Sequence, residues 1–161
     1  MAVLSIVGKP LINDTAPLGM ISFEIACSPG AAEEIVKSWD DYARENTLLS
    51  LKLDFVYLVS YALTLGCGCA WTAGGVRAQG FSRTALIGVL LATGQCIAGL
   101  LDAVEDIALI IIMHGTIATP WPQIACLCAV PKFLLIIAGV FYCLIGIAVH
   151  TPAQGAGTHH E

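Results

Sequence analysis

The chain has 161 residues, of which 57% are hydrophobic and only 12% charged, with a mean hydropathy of +0.82 and a formal net charge of −5. Soluble domains carry about 25% charged residues, so this chain has too little polar surface to cover a soluble globule, and its acidic balance does not suit a nucleic-acid binder, which needs clustered cations. The apolar residues come in runs of membrane length, which leaves a small integral membrane protein.

Residues 1–29 read as an irregular segment punctuated by Pro10, Pro17 and Pro29. Met1–Val7 is apolar but has no basic flank, and Lys9, Pro10 and Asp14 follow it, so no signal peptide is expected and insertion falls to the internal spans. Within this segment Ile21-Ser22-Phe23-Glu24-Ile25 alternates at period two, as a half-buried strand does. Such a strand must pair with Val3–Val7 or with another chain, or it does not form.

Residues 30–50 read as an amphipathic helix. Ser28-Pro29 supplies an N-cap and a proline at the first helical position. Ala32, Ile35, Val36, Trp39, Tyr42 and Ala43 recur at spacings of three and four on one face. The other face is net acidic, with Glu33–Lys37 and Asp40–Arg44 as favourable i,i+4 pairs. An acidic face is a poor match for anionic lipid, so the helix is expected to pack on protein.

Residues 51–149 hold three expected transmembrane helices, approximately Leu51–Ala73, Ala85–Met113 and Trp121–Val149, joined by turns at Gly74–Arg83 and Gly115–Pro120. Trp121 stands where interfacial aromatics gather. Residues 150–161 are a Gly- and Ala-rich tail, expected to be flexible. Arg44 and Lys52 on one side nearly balance Arg77 and Arg83 on the other, so the positive-inside rule does not decide the orientation; the untranslocated N-terminus then favours N-in.

Six of the seven cysteines (Cys67, Cys69, Cys96, Cys126, Cys128 and Cys143) lie in apolar runs, and no C-x-x-C occurs. They read as small apolar packing residues rather than a disulfide framework or a metal site. The histidines His114, His150, His159 and His160 offer no facing pair for haem, and no P-loop, G-x-S-x-G or H-E-x-x-H motif is present. No cofactor and no catalytic activity are assigned.

The informative feature is charge inside the spans. Asp102, Glu105 and Asp106 fall at i, i+3 and i+4 of the second span, with Gln95 seven residues before Asp102. Each acid at a bilayer centre costs about 2.5–3.5 kcal/mol, far more than one Leu or Ile returns, so these side chains must face protein or water. Lys132, directly after Pro131 in the third span, lies as far after the 115–120 turn as Asp102 lies before it, and is expected to pair with Asp102 or Glu105. Asp54, with Tyr57 and Tyr61 at i+3 and i+7, extends the cluster from the first span. Four carboxylates against Lys132 need protons, water, a cation or a partner's basic residue. Buried ion pairs can also simply fix helix register. A metal there would be a hard cation such as Ca²⁺, Mg²⁺ or Mn²⁺, but spacing supplies no geometry and none is assigned.

The sequence thus reads as an all-α integral membrane protein, an amphipathic N-terminal helix followed by three transmembrane helices. It is expected to work without catalysis, in a bacterial inner membrane, by assembling with itself or with another membrane protein. The alternative is an oligomeric proton- or cation-coupled carrier that uses the intramembrane carboxylates. Gly139 and Gly146 share a stripe with Lys132 that would let helices approach closely.

Overall fold

The computed structural model describes residues 9–150, and side chains as far as 146. Val3–Val7 and the tail after residue 150 lie outside the described residues. A 3₁₀ turn at Lys9–Leu11 precedes five helices: α1 (Met20–Glu24), α2 (Pro29–Ser38), α3 (Asp41–Ala78), α4 (Ser82–Met113) and α5 (Trp121–His150). No strand occurs among the described residues. Two of the helices, α3 and α5 over Trp121–Gly146, are long and apolar enough to cross a membrane.

The period-two segment is helical, which corrects the strand expectation: Ile21–Glu24 belongs to α1, whose last residues close on themselves through Ile25 N–H to the Ile21 carbonyl. Five residues are too few for alternation to distinguish a strand from one helical turn and a half. Phe23 is buried edge-on against Trp39, with ring centroids 5.3 Å apart.

The amphipathic helix also differs from its expected extent. Ser28 caps α2 through its Oγ, which accepts from Ala31 N–H, and Pro29 takes the first helical position. The chain then leaves the helix at Trp39 (φ −91°, ψ 133°) and restarts. Asp40 is the reason for the restart: its Oδ1 accepts from Ala43 N–H at 2.8 Å, capping α3. The cap removes Asp40 from the expected pair with Arg44, whose Nε instead donates to the Val36 carbonyl at 3.1 Å. Glu33 and Lys37 do pair, at 2.7 Å on the surface. The break also resets the helical phase, so Ala32, Ile35, Trp39 and Ala43 are buried while Tyr42 is exposed.

Residues 41–50, expected to close the amphipathic helix, are therefore the first turns of α3, whose 38 residues rise about 57 Å. Gly74 and Gly75 lie inside α3, and the first turn shrinks to 79–81. Gly80 (φ 90°) and Gly115 (φ 99°) end α3 and α4 in the left-handed conformation open to glycine. In both places the residue after the glycine donates back five positions, Phe81 to the Val76 carbonyl and Thr116 to the Ile111 carbonyl.

The described chain forms two compact units. The first comprises residues 9–59 and 100–132. Its core joins Leu11, Phe23, Ala32, Ile35, Trp39 and Leu51 to Ala108, Leu109, Ile112 and Ala125. Trp39 Nε1 donates to the Leu11 carbonyl at 2.9 Å, and Asn13 Nδ2 donates to Ser38 Oγ at 3.0 Å, which fastens the N-terminal segment to α2. A disulfide joins Cys27 to Cys126, with Cα atoms 5.0 Å apart. That corrects the assignment of Cys126 to packing: 99 positions separate the two residues, and no spacing rule relates them.

The second unit comprises residues 60–99 and 133–150. Small residues bring its helices together: a Cβ on Gly139 would meet the Gln95 amide, and one on Gly146 would meet the Thr72 side chain. Gln95 is fully buried and its Nε2 donates to the Leu135 carbonyl at 2.9 Å. Tyr142 O–H donates to the Thr84 carbonyl at 3.1 Å, and the Cys69 and Cys143 sulfurs touch at 3.6 Å.

Candidate functional site: a buried carboxylate cluster on Lys132

The first unit gathers five acids and one lysine. Helical spacing puts Asp102, Glu105 and Asp106 on one face of α4, and all three are buried, at 2%, 0% and 2% exposure. Lys132, 4% exposed, comes from α5. Its Nζ donates to Asp102 Oδ1 at 2.5 Å and lies 2.8 Å from Glu105 Oε2. The Glu105 contact is an ion pair in distance only: neither Glu105 oxygen makes a hydrogen bond. Pro131 precedes the lysine and cannot donate to the carbonyl four residues back, a discontinuity that α5 accommodates within the helix.

Sequence reasoning missed the fifth acid. Glu24, last residue of α1, places Oε2 3.8 Å from Lys132 Nζ. Read as a strand, the segment gave no reason to bring Glu24 to the spans. Packing brings it there, because Phe23 locks α1 onto Trp39 and the Cys27–Cys126 bond ties the following residues to the start of α5. Burial lifts the Glu24 carboxyl above its ordinary range; Lys132 opposes that rise and Asp102 adds to it.

The remaining acids form the other side of the cluster. Asp54 of α3 is half-buried, and one oxygen from each of Asp54, Asp102 and Asp106 lies within 4.8 Å of the other two. Asp106 Oδ2 is buried and makes no hydrogen bond. Of the residues expected to support the cluster, Tyr57 of α3 is exposed at 40%, and Tyr61 is half-buried within the second unit. Gln95 is engaged in the second unit with Leu135. Lys52 is exposed and makes no described ion pair.

Chemically the cluster has two poles that share Asp102. At one, a single ammonium donates to Asp102 and lies within ion-pair distance of Glu24 and Glu105. At the other, three aspartates converge. Each buried ion costs several kcal/mol in desolvation, and one lysine cannot compensate five carboxylates. The arrangement can bind cations or protons. A nucleophile activated by a base, as acyl transfer requires, is not among these residues.

Compared with known proteins, the chain matches no family model, no curated protein and no solved structure.

Proposed function

We propose that this chain is a three-span, multi-pass integral membrane protein of a bacterial inner membrane that acts without catalysis, by assembling with itself or another membrane protein. The observation that carries the reading is how little of its apolar helix surface the chain covers. Only 17% of the apolar window of α3 and 28% of that of α5 is buried. A core helix of a soluble protein would be mostly buried, so lipid or a partner must cover the rest. On α5, Leu134, Ile137, Phe141, Leu144 and Ile145 are all exposed by 50% or more. Native mass spectrometry of the chain extracted gently from its own membrane tests the assembly. A homo-oligomer or a stoichiometric second membrane subunit is expected; a monomer that carries nothing but lipid would end this reading.

The Cys27–Cys126 disulfide favours one orientation. Such bonds persist in oxidising compartments, so the end of the first unit that carries Cys27 faces the periplasm, opposite to the N-in orientation favoured by the sequence.

A second reading, an oligomeric proton- or cation-coupled carrier, is favoured by the excess of buried acid over Lys132. In that case a hydrophobic carbodiimide labels Asp54, Asp102, Glu105 or Asp106 at neutral pH, and neutralising the labelled residue stops flux into liposomes. Unchanged flux in the neutralised variant would exclude this use of the cluster.

A further inference from the structure

We propose that Asp54, Asp102 and Asp106 form a binding site for one divalent hard cation, of the Mg²⁺, Mn²⁺ or Ca²⁺ type. Three carboxylate oxygens, one from each residue, lie within 4.8 Å of one another. Oxygens on a coordination shell of about 2.0–2.6 Å are separated by roughly 3–5 Å, so the three fit around a single ion. The donor set is oxygen only, which selects hard cations and disfavours zinc or copper.

The convergence of acids would carry little by itself, since acidic groups often gather without an ion. The independent observation is the state of Asp106. It is 2% exposed, its Oδ2 is shielded from solvent, and that oxygen has no hydrogen-bond donor. Buried carboxylate oxygens nearly always have a partner, and an orphaned one calls for an explanation. No protein donor, Lys132 included, hydrogen-bonds this oxygen. Asp54 and Asp102 each bring a carboxylate oxygen within 4.8 Å of an Asp106 oxygen, so a positive ion placed among the three supplies the missing partner.

A proton answers this demand less well than a divalent ion. One proton bridges two oxygens and leaves the third carboxylate charged, whereas a divalent ion engages all three. Charge points the same way, because five carboxylates face one ammonium, and two positive charges relieve more of the excess than one. Asp54 is the half-buried member and gives the ion its entry, with water completing the coordination shell. Asp102 then belongs to both poles, its Oδ1 accepting from Lys132, so the lysine positions a ligand without touching the metal. The site depends on neither the assembly reading nor the carrier reading, since a bound ion can be structural or transported.

The test uses the full chain purified in detergent micelles, with Mn²⁺ as a paramagnetic probe followed by electron paramagnetic resonance near neutral pH. Wild type is expected to bind one Mn²⁺ per chain, displaced by Mg²⁺ or Ca²⁺. Loss of even an outer-shell partner commonly weakens metal binding by about 10–100-fold, so Asp54→Asn and Asp106→Asn should weaken it by at least roughly tenfold. Glu34→Gln, on the exposed surface of α2 and outside the cluster, should bind as wild type does. A folded wild type that takes up no Mn²⁺ would overturn the site and leave protons as the neutralising species. Binding that survives both aspartate substitutions would overturn it as well. Should Asp106→Asn fail to fold, the half-exposed Asp54→Asn still decides the question, together with the wild-type melting temperature, which must rise with added Mg²⁺ or Ca²⁺ and fall on chelation.

Discussion

Lys132 places one ammonium against Glu24, Asp102 and Glu105, and of these Glu24 is the acid that comes from outside the long helices. Its folded carboxyl is held above the ordinary range, chiefly by burial. An unfolded Glu loses its proton near pH 4.3, so as pH rises from there the unfolded chain gives up that proton before the folded one does. The contribution of Glu24 to stability is therefore complete below about pH 4.3 and declines as pH climbs through the raised folded value. Melting curves of wild type and Glu24→Gln, recorded in detergent across pH 4–8, should show the wild type losing stability relative to the variant as pH increases. Parallel curves would mean that the carboxyl titrates normally. Glu24 was hidden in the sequence because a five-residue alternation fits a strand and a helix equally, and nothing local to α1 points toward Lys132.

At the scale of elements, small residues set how closely the helices of the second unit approach. Gly139 leaves room for the Gln95 amide, which spends its Nε2 proton on the Leu135 carbonyl one turn earlier in α5. Adding a methyl there forces the amide off its acceptor in a buried site, and overpacking of this kind costs about 1–3 kcal/mol. Gly139→Ala should lower stability by that amount, and the double variant Gly139→Ala/Gln95→Ala should cost less than the sum of the two single changes. A double-mutant cycle read from thermal melts checks it; strict additivity would show that the two residues do not meet. The stripe of Lys132, Gly139 and Gly146 was legible because 3.6-residue periodicity holds through α5, whereas the break at Trp39 was not. Asp40 looked like an ion-pair partner at i,i+4, and its use as the α3 cap depends on a backbone departure that the periodic pattern conceals.

At the scale of the molecule, the Cys27–Cys126 bond closes a loop of about a hundred residues within the first unit. Cross-links over long loops restrict the unfolded chain, and native bonds typically contribute about 2–4 kcal/mol. Reduction, or Cys27→Ser, should lower the melting temperature and change mobility on a non-reducing gel. The bond also makes the orientation testable. A membrane-impermeant phosphine applied to intact cells should open it if that end faces the periplasm. Thiols that are already free in intact cells before any reductant is added would place that end in the cytoplasm instead.

The sequence by itself determined the helical class, the long apolar segments and the membership of Asp102, Glu105, Asp106 and Lys132 in buried faces. Composition and helical periodicity are local properties, and the cost of leaving a charge in lipid reads directly from the sequence. Only the tertiary structure decided that Lys132 reaches both Asp102 and Glu105, that Glu24 joins them, that Asp54 converges with Asp102 and Asp106, and that Cys27 bonds to Cys126. Those pairings join residues about 30 to 110 positions apart, and their distances follow from how Phe23, Trp39 and the α4 core pack. Periodicity fixes which face a residue occupies; packing fixes what that face meets.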